Sequence, residues 1–381
     1  MNRTLRSAAV CIAGLAVSHP VRHADAGPLN PPAGAIASTA KPLAEIEPRT
    51  AINAANTPGD ADSLYRITQP GSYYLTGNIN GVPARHGIEI ASHGVTIDLN
   101  GFELAGVPGS LSGVQVAVAS LRNIVVVNGT VRHWGGDGVY TGTAATGRAE
   151  RLTIWANGDD GLAAGSGFVV SQVAAHDNAG LGISTGSGSS ITGCSAMSND
   201  SNGIAAGSGS AVSGCSAYGN GGNGISGGSE CSITGCAAGD NTARGFLVSA
   251  NCTVTACTAG GNGSDGIRCS SGSHIHGNTC MANGIDEGDG AGIRATQGDN
   301  RIEGNHCTGN DRGIDVDIRG NVIIRNTCAG NGVEYTIAAD NIYGPIIDRR
   351  IPATVASTPS VNGAAAPGTM GSADPNANYA H

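Results

Sequence analysis

The apolar positions of this chain follow a beat far slower than the period of about 3.6 residues of a helix or the period of two of a long strand. A glycine followed by an apolar side chain falls at Gly138, Gly161, Gly182, Gly203, Gly224, Gly245, Gly266, Gly292 and Gly313, and from Gly161 to Gly266 every step is 21 residues. A second apolar column sits nine or ten positions later, at Val170, Ile191, Val212, Ile233, Val254, Ile275, Ile302 and Ile323. An asparagine follows that column by eight residues, from Asn178 and Asn199 through to Asn310 and Asn331. One such unit has too few large apolar side chains to fold alone, and its glycines would break a helix. Stacking solves both problems. Strands of three to five residues pair in parallel with copies above and below, and the rest of each unit is the crossover. The pattern predicts an all-β, single-stranded right-handed parallel β-helix (a solenoid) of coils of about 21 residues. At about 4.8 Å per coil, the recognisable coils span roughly 40 Å. The asparagine column reads as a turn in which Asn takes left-handed geometry and the amides stack.

The periodicity also sets the boundaries. Residues 1–26 read as a secretory signal peptide: Arg3 and Arg6 precede the apolar run Ser7–Val17, and "ADA" ends at Ala26. Residues 27–47 are rich in proline and alanine and are expected to be a flexible leader, with the β-helix over 48–347. The first strands, within Tyr65–Leu104, should close one end. Beyond Ile347 the beat is gone, so 348–381 is expected to be a flexible tail, with "NANYAH" either free or docked on the last coil. No later stretch approaches about 18 consecutive apolar residues, so the mature protein should have no membrane span and be secreted or periplasmic. Charged residues make up 13% of the chain, the net charge is −9, and Lys41 is its single lysine. Without a basic stripe, and with few aromatics to stack bases, nucleic acid is a poor partner.

The repeat "NGIAAGSGSAVSGCSAYGN" resembles those of right-handed parallel β-helix proteins of the pectin lyase-like superfamily, and residues 71–104 are similar to the opening coils of many exported members. The resemblance runs from about Ile46 to Ile342. It implies the fold and, less specifically, a polysaccharide-related role, because the superfamily includes lyases, hydrolases, epimerases and adhesins. "NGDDG" at Asn157–Gly161 is similar to the Asp-Asp element of polygalacturonase-like hydrolases, but the Gly-His-Gly and Arg-Ile-Lys elements of that family are missing. "RHG" at Arg85 and "SHG" at Ser92 lack the first glycine. Asp159 and Asp160 therefore read as turn residues, as does Asp98.

Cys194, Cys215, Cys236 and Cys257 share one inward column, which continues as Asn278, Asn305 and Asn326. Cys280, Cys307 and Cys328 replace alanines in a second, and Cys231 and Cys252 make a shorter pair. Stacked residues keep their Cβ atoms about 4.8 Å apart with parallel bonds, whereas a disulfide needs about 3.5–4.5 Å and convergence. Free structural thiols are expected over disulfides or a metal site.

On the outward column two residues past each repeat glycine, Ala163, Ser184, Ala205, Ser226 and Leu247 give way to Arg268, Arg294 and Asp315. Asp315 and Asp317 lie two apart on a strand, hence on one face, and His276 shares another column with Glu303. Paired carboxylates beside arginines are the residue types that glycoside chemistry uses. Candidate catalytic residues are Asp315, Asp317, Arg294, Arg268, His276 and Glu303, and candidate binding residues are Arg268, Arg294 and Asp315. No cofactor is required. Asp286, Glu287 and Asp289, in a five-residue insertion, could hold Ca²⁺ with an acidic sugar. Trp134 and Trp155 could stack on sugars or pack on the coils. The leading reading is an exported protein that binds extracellular or cell-envelope polysaccharide, with an acidic polymer or envelope component as partner. The alternatives are a divergent polysaccharide lyase, hydrolase or epimerase acting at coils 266–331, and a structural or adhesive surface rod.

Overall fold

The computed structural model describes residues 47–142, 144, 146–284, 290–348, 361–362 and 374–381. Each coil has three strand-forming sides. In one coil these are Ile183–Thr185, Ser190–Thr192 and Ser195–Met197. Every side pairs in parallel with its copy in the next coil, Ile183 beside Ile204, Ile191 beside Val212 and Ala196 beside Ala217. The first sides form one sheet of fourteen strands, from Ser63–Ile67 to Val361–Asn362. The second and third sides belong to one larger sheet that bends between them; in early coils both lie in one strand, such as Arg122–Arg132 or Phe168–His176. The core is the stacked inward columns, with Ile183, Ile204, Ile225, Phe246, Ile267, Ile293 and Ile314 all fully buried. No helix among the described residues is long and apolar enough to cross a membrane.

The coil turns three times, and each turn has the same construction. A residue with positive φ comes first, such as Gly188, Gly193 and Ser198 in one coil, and the next residue turns its side chain inward. At the corner after the third side that residue is the column asparagine. The left-handed residue is thus the one before it, Asp177, Ser198, Gly219 or Asp240, and not the Asn as the sequence suggested. The reason lies in the hydrogen bonds. Asn220 Oδ1 accepts from the backbone N–H and the amide of Asn199 (3.1 and 2.9 Å), and its own amide donates to Ala196 O and Asn241 Oδ1 (3.2 and 2.9 Å). These bonds require the amide to point inward from an ordinary backbone conformation.

The corner between the second and third sides uses thiols in the same way. The N–H of Cys194 points at Cys215 Sγ (3.4 Å) and that of Cys257 at Asn278 Oδ1 (2.9 Å), so the cysteine column passes directly into the asparagine one. Cys280, Cys307 and Cys328 stack on one another below the alanines, in register. All ten cysteines of the described residues are buried free thiols. Trp134 packs in the core, its indole N–H donating to Leu104 O at 3.1 Å.

The terminal residues 374–381 dock on the last coils. Asn378–Ala380 form a strand inserted between Thr327–Ala329 and Ile346–Asp348, in parallel with both. Asn378 completes the corner ladder: its Oδ1 accepts from Asn326 N–H at 3.0 Å and its amide donates to Ile323 O and Gly344 O. The buried Tyr335 hydroxyl reaches Asn326 O and Tyr379 O, both at 2.9 Å.

Candidate functional site

On the first side one residue of each strand faces out between two that face the core: Arg268 lies between buried Ile267 and Cys269. The outward row starts with Arg66, Glu89, Gln115 and Tyr140. It passes through Ala163, Ser184, Ala205, Ser226 and Leu247 and then reaches Arg268, Arg294 and Asp315, each in register with the next. Over the middle of this floor lies a recess of about 350 Å³, lined by Ser184, Ala205, Ser226 and Leu247 and by small residues beside them.

At the charged end each arginine is oriented by carboxylates. Arg268 Nε is 2.6 Å from Asp265 Oδ2, and Arg312 Nη1 is 2.7 Å from Asp315 Oδ2. Arg294 Nε lies 3.1 Å from Asp317 and 3.7 Å from Asp315. Asp265 and Asp315 are buried, a state tolerable for carboxylates only because cations and donors surround them. Burial still pushes the Asp315 pKa upward, against the hydrogen bond and charge of Arg312. Asp317 lies just past the end of the strand Arg312–Val316 and is exposed. The two carboxylates therefore clamp one guanidinium. The gap that an acid–base pair needs for a sugar and a water is occupied by Arg294.

His276 and Glu303 pair in register on the second side, so the structure does not bring them together with the arginine row. Glu303 is buried and accepts from Arg301 Nε and from Arg325 Nη1 (2.9 Å), and the Arg301 hydrogen bond holds its pKa below the usual carboxylate range. A carboxylate held ionised between two guanidinia is poorly suited to act as a general acid. Asp286, Glu287 and Asp289 lie outside the described residues.

The sequence reading missed the corner column immediately before each repeat glycine. It holds Asp137 and Asp160 in early coils, then Leu181, Asn202 and Asn223, then Arg244, Asp265, Ala291 and Arg312. Carboxylate oxygens of Asp137, Asp159 and Asp160 all lie within 4.8 Å of one another. Asp137 Oδ1 also accepts from Asp160 N–H (3.1 Å), and Asp160 Oδ1 from Leu181 N–H (2.7 Å). Burial pushes Asp137 up to about 6, with the charges of Asp159 and Asp160 adding to it. Oxygen donors in such a group are of the kind a divalent cation takes. A similar group, Asp60, Asp62 and Glu89, already has a cation, since Arg66 pairs with Asp60 and lies 3.3 Å from Glu89. The signal for Asp137 and Asp160 was their shared place before the glycine, one coil apart.

The isolated histidines brace the coils. His86 Nδ1 accepts from Ser112 N–H and His93 Nδ1 from Arg122 N–H, both at 3.1 Å. Asp98 is a turn residue, accepting from Asn100 N–H at 2.8 Å. Trp155 stacks between coils, with the Arg132 guanidinium 5.4 Å from its ring on one side and the His176 ring 5.8 Å away and nearly parallel on the other. Packing, and not an open sugar platform, is its observed role.

The family described as "Right handed beta helix region" matches residues 75–212 and 187–280, more than half of the chain. No curated protein matches the sequence. Among solved structures the chain is similar to the A-module of the Azotobacter vinelandii mannuronan C-5 epimerase AlgE4, with 16% identity, a TM-score of 0.46, and 78% of this chain and 88% of that one covered. It is similar to the Dettilon tailspike protein gp208 at 13% identity and a TM-score of 0.46, over 73% and 59% of the two chains. It is also similar to the catalytic domain of a GH87 alpha-1,3-glucanase in complex with tetrasaccharides, at 12% identity and a TM-score of 0.38, over 74% and 58%. Likenesses this distant carry no activity across. The chain belongs to the right-handed beta helix family.

Proposed function

We propose that this protein, exported to the periplasm or the cell exterior, binds an acidic polysaccharide lengthwise along the first side of its β-helix. The observation that carries this reading is the floor itself: five coils of small or flat side chains, from Ala163 to Leu247, leading to Arg268 and Arg294. A polymer can lie on such a strip without steric hindrance. Where the strip ends, Arg268 and Arg294 stand among carboxylates, paired with Asp265, Asp315 and Asp317. The guanidinia are held in place by those carboxylates, so little side-chain entropy is lost when a uronate pairs with them. Titration with oligouronates tests the reading. Leu247→Glu, which places a like charge on the floor, and Arg268→Gln should each weaken binding about tenfold, with wild-type affinity falling as salt rises. Unchanged affinity in both variants overturns it.

One observation favours a second reading, a divergent lyase, hydrolase or epimerase. Asp137, its pKa pushed up to about 6 beside Asp159 and Asp160, is half-protonated at mildly acid pH and there has the properties of a general acid. Product release from acidic polysaccharides that is abolished by Asp137→Asn but not by Arg268→Gln supports the enzyme; absence of any product rejects it.

A further inference from the structure

The third side carries a different surface. After Trp155 and His176 its outward row reads Met197, Tyr218, Gly239, Gly260 and Met281. Tyr218 and Met281 are each 54% exposed and Met197 is 46% exposed. Tyr218 does not stand upright from the sheet. Its hydroxyl donates to Asp240 Oδ2 one coil on, and a Cβ at Gly239 would come within 3.2 Å of ring atom Cδ2 and 3.5 Å of Cε2. The ring is laid across the bare glycine and tethered at its far end, and more than half of the residue stays in water. The row beside it offers the exposed hydroxyl residues Ser195, Ser216, Thr258 and Thr279. The adjoining corner carries Asp177, Asp200 and Asp240, and a groove of about 580 Å³ opens there, lined in part by His133, Asp177, Ala179 and Asp200.

We infer that Tyr218 is the platform of a second carbohydrate site, one for an uncharged pyranose chain that runs from the ring into this groove. A pinned aromatic ring gives contact area to sugar C–H groups at little entropic cost. Carboxylates beside it accept hydroxyl hydrogens, and they repel a uronate. Arg244 is the sole arginine between Asp177 and Gly260, and it belongs to the corner of the first side. The two sides thus differ in charge, and their ligands differ with them. The site stands independently of the acidic-polysaccharide reading.

Calorimetric titration with neutral oligosaccharides of glucose, mannose, galactose and xylose tests it. At least one should bind, and Tyr218→Ala should weaken that binding tenfold or more, with Tyr218→Phe weakening it less because the ring remains. Arg268→Gln should leave it unchanged, which separates this site from that of the first side. Tyr218 is exposed, so the variants should keep the wild-type thermal midpoint, measured in parallel. The inference is overturned if no neutral oligosaccharide binds, if Tyr218→Ala binds as tightly as wild type, or if Tyr218→Ala abolishes binding of oligouronates alone.

Discussion

The side chain of Asn220 holds four hydrogen bonds inside the protein, two as acceptor and two as donor, and all of them link its coil to those on either side. Replacing it with alanine leaves Asn199 N–H, one hydrogen of the Asn199 amide and Ala196 O short of partners where water does not reach, while Asn241 Oδ1 keeps the backbone N–H of residue 220. Each such group costs about 1–3 kcal/mol, so Asn220→Ala should lower stability by roughly 3 kcal/mol or more in denaturant unfolding. A loss below about 1 kcal/mol would mean that water had entered the corner. Asp137 makes a prediction of opposite sign. Its folded pKa, about 6, lies above the 3.8 of a free aspartate, so the folded chain holds the proton more tightly than the unfolded one. Stability therefore falls as pH rises from about 4 to about 6, and the whole of that loss persists above. Asp137→Asn keeps the acceptor for Asp160 N–H and removes the charge. Its thermal midpoint should exceed wild type at pH 7.5 and match it at pH 3.5; an offset equal at both pH values contradicts this assignment.

At the scale of the coil, much could be read before the structure, because stacking makes one position speak for many. The strand columns, the inward cysteines and the three-way exchange of Cys, Ala and Asn all follow from a 21-residue spacing, and each lands in register. Side-chain conformation was less accessible. That the left-handed residue precedes Asn199 depends on where an amide finds its partners, and spacing does not contain that information. Nor does spacing show that Arg294 would fill the gap between Asp315 and Asp317, or that His276 and Glu303 would face another way. Tyr218 escaped notice for the same reason, since its role rests on a tilt toward Asp240. The thiols illustrate the element scale best. Burial pushes Cys269 up to about 12, so it stays protonated at neutral pH, and the other nine thiols of the described residues are buried as well. A thiol reagent should label almost none of the ten in the folded protein and all ten in denaturant. Substantial labelling of the folded protein, or failure to label the denatured one without reductant, would contradict buried free thiols.

A stack of coils has two ends, and each leaves a row of unpaired strand groups that invites association. At the C-terminal end the row beside Thr327–Ala329 is filled from a distance. The chain passes Ile346–Asp348 and later returns, placing Asn378–Ala380 in the vacancy between. Four features hold this strand: ladder pairing on both edges, Asn378 under Asn326, the Tyr335 hydroxyl on Tyr379 O, and fully buried Ala380 over Cys328. Periodicity had no means of revealing it, because the strand belongs to no repeat and its partner lies some fifty residues back. Removing residues 374–381 takes away the acceptor for Asn326 N–H, frees one edge of Ile346–Asp348 and uncovers Cys328, while the coils upstream keep their own pairing. Because each coil contacts mainly its neighbours, the damage should remain at that end. Cys328 should become reactive toward a thiol reagent in the otherwise folded protein, and light scattering should show association that the full chain does not. A truncated protein that stays monomeric, with Cys328 still protected, would show that the inserted strand is dispensable and that the last coil closes on itself.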